Sequence, residues 1–196
     1  MTQKYHHGQL KQALIEAGIE ILNVTTPEQL SLRKVANQCG VSHAAPYKHF
    51  KNKDDLLHAI YQYIDEQFTM ALKEAILQIS DEPYQQIIRM GSAYITFFVH
   101  HPNYFHFFFI ERWKNKNIEN LSTHIEQSLS YRFFTETAIH YFQSVGIPKE
   151  RYQNNIIAMW SIVHGITLMI VTKMIQIPIH QTDWLDHFLT EHLNIQ

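Results

Sequence analysis

SLRKVANQCGVSHAAPYKHFKNK, residues 31–53, is the stretch that decides how the chain reads. Ser31 stands where it can cap a helix whose inner stripe is Leu32, Val35 and Ala36, at helical spacing. Gly40 supplies the positive φ that a helix C-terminus often needs, and Val41 plugs the corner. Ser42 is then placed to cap a second helix showing His43, Ala44, Ala45, Tyr47, Lys48 and His49 before Phe50 returns to the core. Two short helices joined in this way make a helix-turn-helix, whose second helix fits the major groove of B-DNA. Pro46 departs from that pattern. It removes an amide donor near the first turn, so the second helix is expected to start late or to tighten into a 3₁₀ turn.

Outward from this segment the chain reads as helical throughout. A first helix is expected over about Gln9–Val24, with Leu10, Leu14, Ala17 and Ile21 on one face, broken by Thr25, Thr26 and Pro27. After Lys53, two acids at Asp54 and Asp55 favour the positive end of a helix macrodipole. The stripe Leu57, Ile60, Ile64, Phe68, Leu72 and Ile76 carries that helix to about Ser80. Pro83 opens a helix reaching His100 and stopped by Pro102. Further helices are expected over about Ile118–Val145, Lys149–Ile175 and Asp183–Leu193. No strand-like alternation bounded by turn pairs appears, so the expected class is all-α. An N-terminal three-helix DNA-binding domain over residues 1–53 would be followed by a helical ligand-binding and dimerisation domain over 54–196.

Charge supports that division. The 196 residues carry a formal net charge of −2. Up to Lys53, however, Lys4, Lys11, Arg33, Lys34, Lys48, Lys51 and Lys53 face only Glu16, Glu20 and Glu28, seven cations against three acids. A cationic end on an acidic body orients approach to a polyanion and disfavours the wrong face. Cys39 is the only cysteine, which excludes an internal disulfide and a thiolate metal cluster; it reads as a small buried plug beside Gly40. The polar run Met1–Lys11 has no secretory core, so cytoplasmic residence is the expectation.

The residues Val41, Ser42, Tyr47, His49, Phe50 and Lys53, spaced V-S-x-x-x-x-Y-x-H-F-x-x-K and followed by Leu56 and Leu57, resemble the TetR family of bacterial transcriptional regulators. H-G-x-L-x-x-A-L, from His7 to Leu14, is similar to a variant of that family's first helix. The resemblance implies a ligand-responsive repressor without enzymatic activity. It would bind a palindromic double-stranded operator as a homodimer, with recognition helices in successive major grooves roughly 34–36 Å apart. Carried onto this chain, it implies that Tyr47, His49 and Lys53 hold phosphates, with the Ser42 hydroxyl able to do the same. Arg33, His43 and Lys48 are candidates for reading base edges, and Ala44 and Ala45 for touching thymine methyls. Ser31, at the head of the first helix of the pair, completes the DNA-binding set.

Trp160 to Gly165, W-S-I-V-H-G, resembles the W-x-x-x-H-G signature of one C-terminal subgroup of that family, as does HPNYFHFFF before it. Tyr94, Phe97, Phe98, Tyr104, Phe105, Phe107, Phe108, Phe109 and Trp113 concentrate rings in twenty residues. They either fill a helical core or wall an apolar pocket. The pocket candidates are Phe97, Phe98, Phe105, Phe108, Trp160 and His164, for a small apolar or aromatic effector whose polar end Glu111 can orient. Ile156–Ile175 has about bilayer length, yet contains Ser161, His164, Gly165, Thr167 and Lys173 and lacks a basic flank. Its two apolar stripes fit a helix that packs on its own subunit and on a partner, with Gly165 admitting close approach. No membrane span, cofactor, metal site or catalytic residue is expected.

Two other readings remain open at this level. Fourteen histidines invite a metal enzyme, but H-E-x-x-H, G-x-S-x-G and a phosphate loop are absent. A helical adaptor that binds only proteins would account for the apolar final helices and leave the cationic motif unexplained.

Overall fold

The computed structural model describes residues 7–79, 82–110, 128–177 and 182–193. Among the described residues the regular structure is entirely helical, with no strand. The chain divides into two compact units, one running up to Ile64 together with His106–Ile110, the other from Asp65 to Phe105 with the residues from Ser128 on.

In the first unit, α1 (His7–Leu22) packs on α2 (Leu32–Gln38), and the long α3 (Lys53–Ile76) begins there. The core is Leu14, Leu30, Val35, Ala36, Phe50, Leu56 and Ile60. Gly18 leaves room for Ile60, since a Cβ there would stand 2.8 Å from Ile60 Cδ1 and the Ile60 side chain would have to shift. The helix α2 is built as its sequence implies. Ser31 Oγ accepts from the Lys34 amide at 3.2 Å, Leu32, Val35 and Ala36 are buried, and Gly40 takes φ 65°. The Val41 amide then reaches back to the Ala36 carbonyl at 3.0 Å, closing the helix end.

The second helix of the pair differs from expectation. Ser42 caps no α-helix. Its carbonyl accepts from the Ala45 amide at 2.9 Å, and a 3₁₀ turn follows over Pro46–Lys48. Pro46 explains this, because its ring fixes φ and it lacks the amide that would continue a ladder. The Pro46 carbonyl instead takes both the His49 and Phe50 amides, each at 2.9 Å, which turns Phe50 inward. The start of α3 is also set differently. Asn52, one residue ahead of the helix, accepts from the Asp55 amide at 2.9 Å, and Asp55 Oδ2 accepts from the Lys51 amide at 3.0 Å. This reciprocal cap fixes where the turn ends and the helix begins. A π-helical turn at His106–Ile110 adds Phe108, whose ring stacks on Tyr61 at 4.4 Å and 7°.

The second unit is built around α4 (Pro83–His100), the most amphipathic of the long helices. After it come the short α5 (Pro102–Phe105), α6 (Leu129–Ser144), α7 (Tyr152–Val171) and α8 (Thr182–His192). The helix α4 packs on α6, α7 and α8. Gly91 lets α8 approach, since a Cβ there would stand 2.9 Å from Leu189 Cδ1. Asp186 ties the same pair together, taking the Arg89 guanidinium at 2.9 Å and the Ser92 hydroxyl. The expected helix from about Ile118 is seen from Leu129 on. Its earlier part, with Glu111 and Trp113, lies outside the described residues.

Candidate nucleic-acid interface and effector cavity

The residues singled out for DNA contact fall into three groups. Arg33, Ser42, His43, Ala44, Tyr47 and Lys48 are exposed, Tyr47 by 56% despite its ring. Ala45, His49 and Lys53 are half-buried, with the His49 ring tilted against Phe50 at 6.4 Å. Ser31 is half-buried and its oxygen is engaged as the α2 cap.

Some of these are brought together by a residue that the sequence reading passed over. Asn37 is exposed, one helical turn after Arg33 on α2, so the two share a face. Its Oδ1 lies 2.8 Å from His43 Nε2. The result is a continuous exposed strip, Arg33–Asn37–His43, joining α2 to the turn that carries Tyr47 and Lys48. Asn37 carries no motif; only its i+4 relation to Arg33 could have drawn notice. Cys39 sits just behind, half-buried, its thiol donating to the Ala13 carbonyl at 3.4 Å. Burial, and then Glu20 and Glu16, push that thiol above its ordinary pKa, so it stays protonated and packs α2 on α1.

The second unit holds a cavity of about 20 Å³. Phe68 and Leu72 of α3, Tyr94 of α4, Ser130 of α6, and Met159 and Trp160 of α7 are among its walls. At that size it has room for roughly one water. Of the six candidates for ligand contact, Trp160 lines it. Phe98 and Phe105 are fully buried and do not line it, Phe98 packing against Phe68 at 4.7 Å and Phe105 against the His164 ring at 5.0 Å. Phe97 is half-buried beside Phe68 at 5.3 Å, and Phe108 belongs to the first unit.

Polar groups at the cavity are engaged. Tyr94 Oη pairs with His164 Nδ1 at 2.9 Å, and the Trp160 ring meets Tyr94 edge-on at 5.7 Å. Burial raises the Tyr94 phenol well above its usual range and lowers His164, so both are held neutral. The Ser130 hydroxyl donates to Asp65 Oδ1 at 2.5 Å. Asp65, only 4% exposed, also accepts the Leu129 amide at 2.7 Å and the Ser130 amide at 3.2 Å. A carboxylate on α3 thus sits on the N-terminus of α6, where amides and dipole favour negative charge.

Lys149–Val171 is long and apolar enough to cross a membrane. Core helices of soluble proteins have the same composition, and α7 packs on α4 and α6 through Ile156, Met159, Val163 and Ile166. Its other side shows Ile157, 54% exposed, with Ala158 and Ser161, and nothing within 4 Å of where a Gly165 Cβ would stand. Among the described residues no three His, Cys, Asp or Glu side chains are grouped to hold a metal ion.

Residues 14–60, from Leu14 of α1 to Ile60 of α3, match the family described as bacterial regulatory proteins, tetR family. The chain carries a TetR-family N-terminal domain. No curated protein matches it. Among solved structures it is similar to a protein of unknown function from Rhodococcus sp. RHA1, at 24% identity and TM-score 0.75, covering 98% of this chain and 100% of that one. A TetR-like transcriptional regulator from the same organism gives 17% identity and TM-score 0.71, covering 98% and 100%. The transcriptional regulator FadR from Bacillus subtilis, in complex with stearoyl-CoA, gives 18% identity and TM-score 0.73, covering 91% and 96%. The TetR-like fold therefore extends over the whole chain, beyond the matched domain. The family match points to a regulatory protein and away from an enzyme.

Proposed function

We propose that the chain is a ligand-responsive transcriptional repressor that binds a palindromic operator as a homodimer in the cytoplasm. The observation that carries this reading is the exposed set Arg33, Asn37, His43, Tyr47 and Lys48 on a cationic TetR-family domain. Phosphate contacts from Tyr47, His49, Lys53 and Ser42 would set position on the duplex, while Arg33, His43 and Lys48 set sequence preference. Residues 1–53 would serve as the DNA-binding domain and 54–196 as the ligand-binding and dimerisation domain.

The side of α7 that the described residues leave uncovered, with Ile157, Ala158, Ser161 and Gly165, supports a twofold interface through the C-terminal helices. A helix with an apolar face on both sides needs a second partner, and a second copy supplies one with matching chemistry. Trp160, His164 and Gly165 follow the W-x-x-x-H-G pattern, and the packing of Trp160 and His164 on Tyr94 supports assignment of the body to that subgroup.

The effector is a small apolar or aromatic molecule, and the cavity beside Trp160 is where it enters. At about 20 Å³ the cavity is too small for such a molecule, so a ligand has to widen it. Met90 and Met159 in its wall are side chains that repack readily. One structural neighbour holds stearoyl-CoA, which favours a ligand with an apolar chain. Phe68 and Leu72 place α3 in the same wall, and α3 begins at the DNA-binding end. A ligand that binds better to the conformation with displaced reading heads would lower operator occupancy, by a coupling of about 1–3 kcal/mol.

The test is a gel-shift titration of the full chain on DNA upstream of its own gene, with sizing of the same sample. Specific retention over bulk competitor, weakening as salt rises, is expected, together with a dimer that Ile157→Arg converts to monomer. A monomeric wild type that prefers no fragment sinks the reading.

A further inference from the structure

The Asn37–His43 contact fixes more than a position. A carboxamide oxygen only accepts, so His43 Nε2, 2.8 Å from Asn37 Oδ1, must carry a proton. In the neutral ring the other nitrogen, Nδ1, then holds a lone pair and no hydrogen. His43 is exposed, and it lies in the turn between α2 and Pro46 where the domain would meet a groove. Resting on the DNA-binding reading above, we propose that Asn37 is a positioning residue that sets His43 as a hydrogen-bond acceptor. His43 then reads a base presenting an exocyclic amino group in the major groove, cytosine N4 or adenine N6.

The discrimination follows from the groove edges. Cytosine and adenine offer an amino donor there, whereas guanine offers N7 and O6 and thymine offers O4, all acceptors. An acceptor on His43 gains a hydrogen bond from the first pair and meets a lone pair from the second. Arg33, on the same strip and one turn from Asn37, carries only donors. The strip therefore presents a donor and an acceptor side by side, which suits guanine next to an amino-bearing base. Arginine and lysine alone would read only the former.

The experiment is selection of operators from random DNA by the full-length chain, compared with Asn37→Ala, Asn37→Asp and His43→Ala. Wild type should show, in each half-site, one position enriched in cytosine or adenine by about fivefold, the scale of one net hydrogen bond. His43→Ala should erase that preference. Asn37→Ala, which frees the tautomer, should cut it to about twofold or less while the other positions persist. Asn37→Asp should reverse it. A carboxylate pairs best with a ring protonated on both nitrogens, making Nδ1 a donor toward guanine or thymine. A merely structural role for Asn37 would weaken every position together and could not reverse one. Guanine or thymine at the position His43→Ala erases overturns the inference, as does an unchanged preference in Asn37→Ala. A selected operator with no such position defeats it alone, while selection of no sequence by wild type defeats it together with the regulator reading.

Discussion

Around Val35 and Ile60 the first unit turns its hydrogen-bonding side chains outward, with Arg33, His43, Tyr47 and Lys48 all exposed. Around Tyr94 the second unit turns them inward and joins them, Tyr94 to His164 and Ser130 to Asp65. The first arrangement leaves groups available to a polyanion at little cost to the fold. The second uses polar groups to fix which helices meet, and leaves carbon for any ligand. A substitution in the first unit should therefore move binding with little change in melting, and one in the second should move melting first.

The largest test of that contrast is Asp65→Ala. It removes the acceptor for two amides and one hydroxyl at the start of α6, the Leu129 amide part-buried and both Ser130 groups buried. The expected loss is about 2–4 kcal/mol. That corresponds to a fall of roughly 5–15 °C in the melting temperature followed by far-ultraviolet circular dichroism. Asp65→Asn, which keeps one acceptor oxygen, should fall between. An Asp65→Ala protein that melts like wild type would mean that the α3–α6 junction is not fixed by this carboxylate, and the contrast would lose its second half.

Next comes Tyr47→Ala. The side chain is 56% exposed, so the melting temperature should hold within about 1 °C. Affinity for DNA should fall about tenfold, on preferred and random sequences alike, as loss of a phosphate contact demands. Arg33→Ala should reduce affinity less for random DNA than for the preferred operator. Equal losses on both would remove Arg33 from the reading set, and a Tyr47→Ala protein that melts early would make Tyr47 a packing residue.

What could be read in advance follows the same division. Ser31, the stripe Leu32–Val35–Ala36 and Gly40 were legible because each acts on backbone within a few residues of itself. The 3₁₀ turn at Pro46 was legible as a disturbance, since a missing amide is a local fact, but the loss of the Ser42 cap was not. That loss also reflects how the Pro46 carbonyl takes the His49 and Phe50 amides, which brings Phe50 into the core. Asn52 and Asp55 form a cap in N-x-x-D spacing that was there to be seen, and the acids at 54 and 55 were read for charge alone. In the body, the density of rings announced aromatic packing without saying which rings would bound a space. Phe98 and Phe105 are fully buried against other rings, whereas Leu72, Met159 and Phe134 line the cavity. Those assignments depend on how helices distant in sequence cross. Asp65 is the sharpest case: an acid one residue past Ile64 looks like the edge of a solvated face until α6 places two amides on it.

The smallest effect concerns His164. Burial lowers its pKa below the ordinary histidine value, and its Nδ1 is paired with a phenol that burial keeps protonated. A proton therefore binds the unfolded imidazole more readily than the folded one. Between the lowered folded value and the ordinary value of about 6.5, the unfolded chain holds more protons, so stability rises with pH across that window and falls as pH drops through it. The His164 ring is only part-buried, which screens the effect, and a decrease of about a degree or two in melting temperature is expected on acidification from neutral. His164→Gln, which cannot titrate, should flatten that part of the pH profile relative to wild type. A His164→Gln protein whose profile followed that of wild type would mean that burial of the Tyr94–His164 pair does not link protonation to folding.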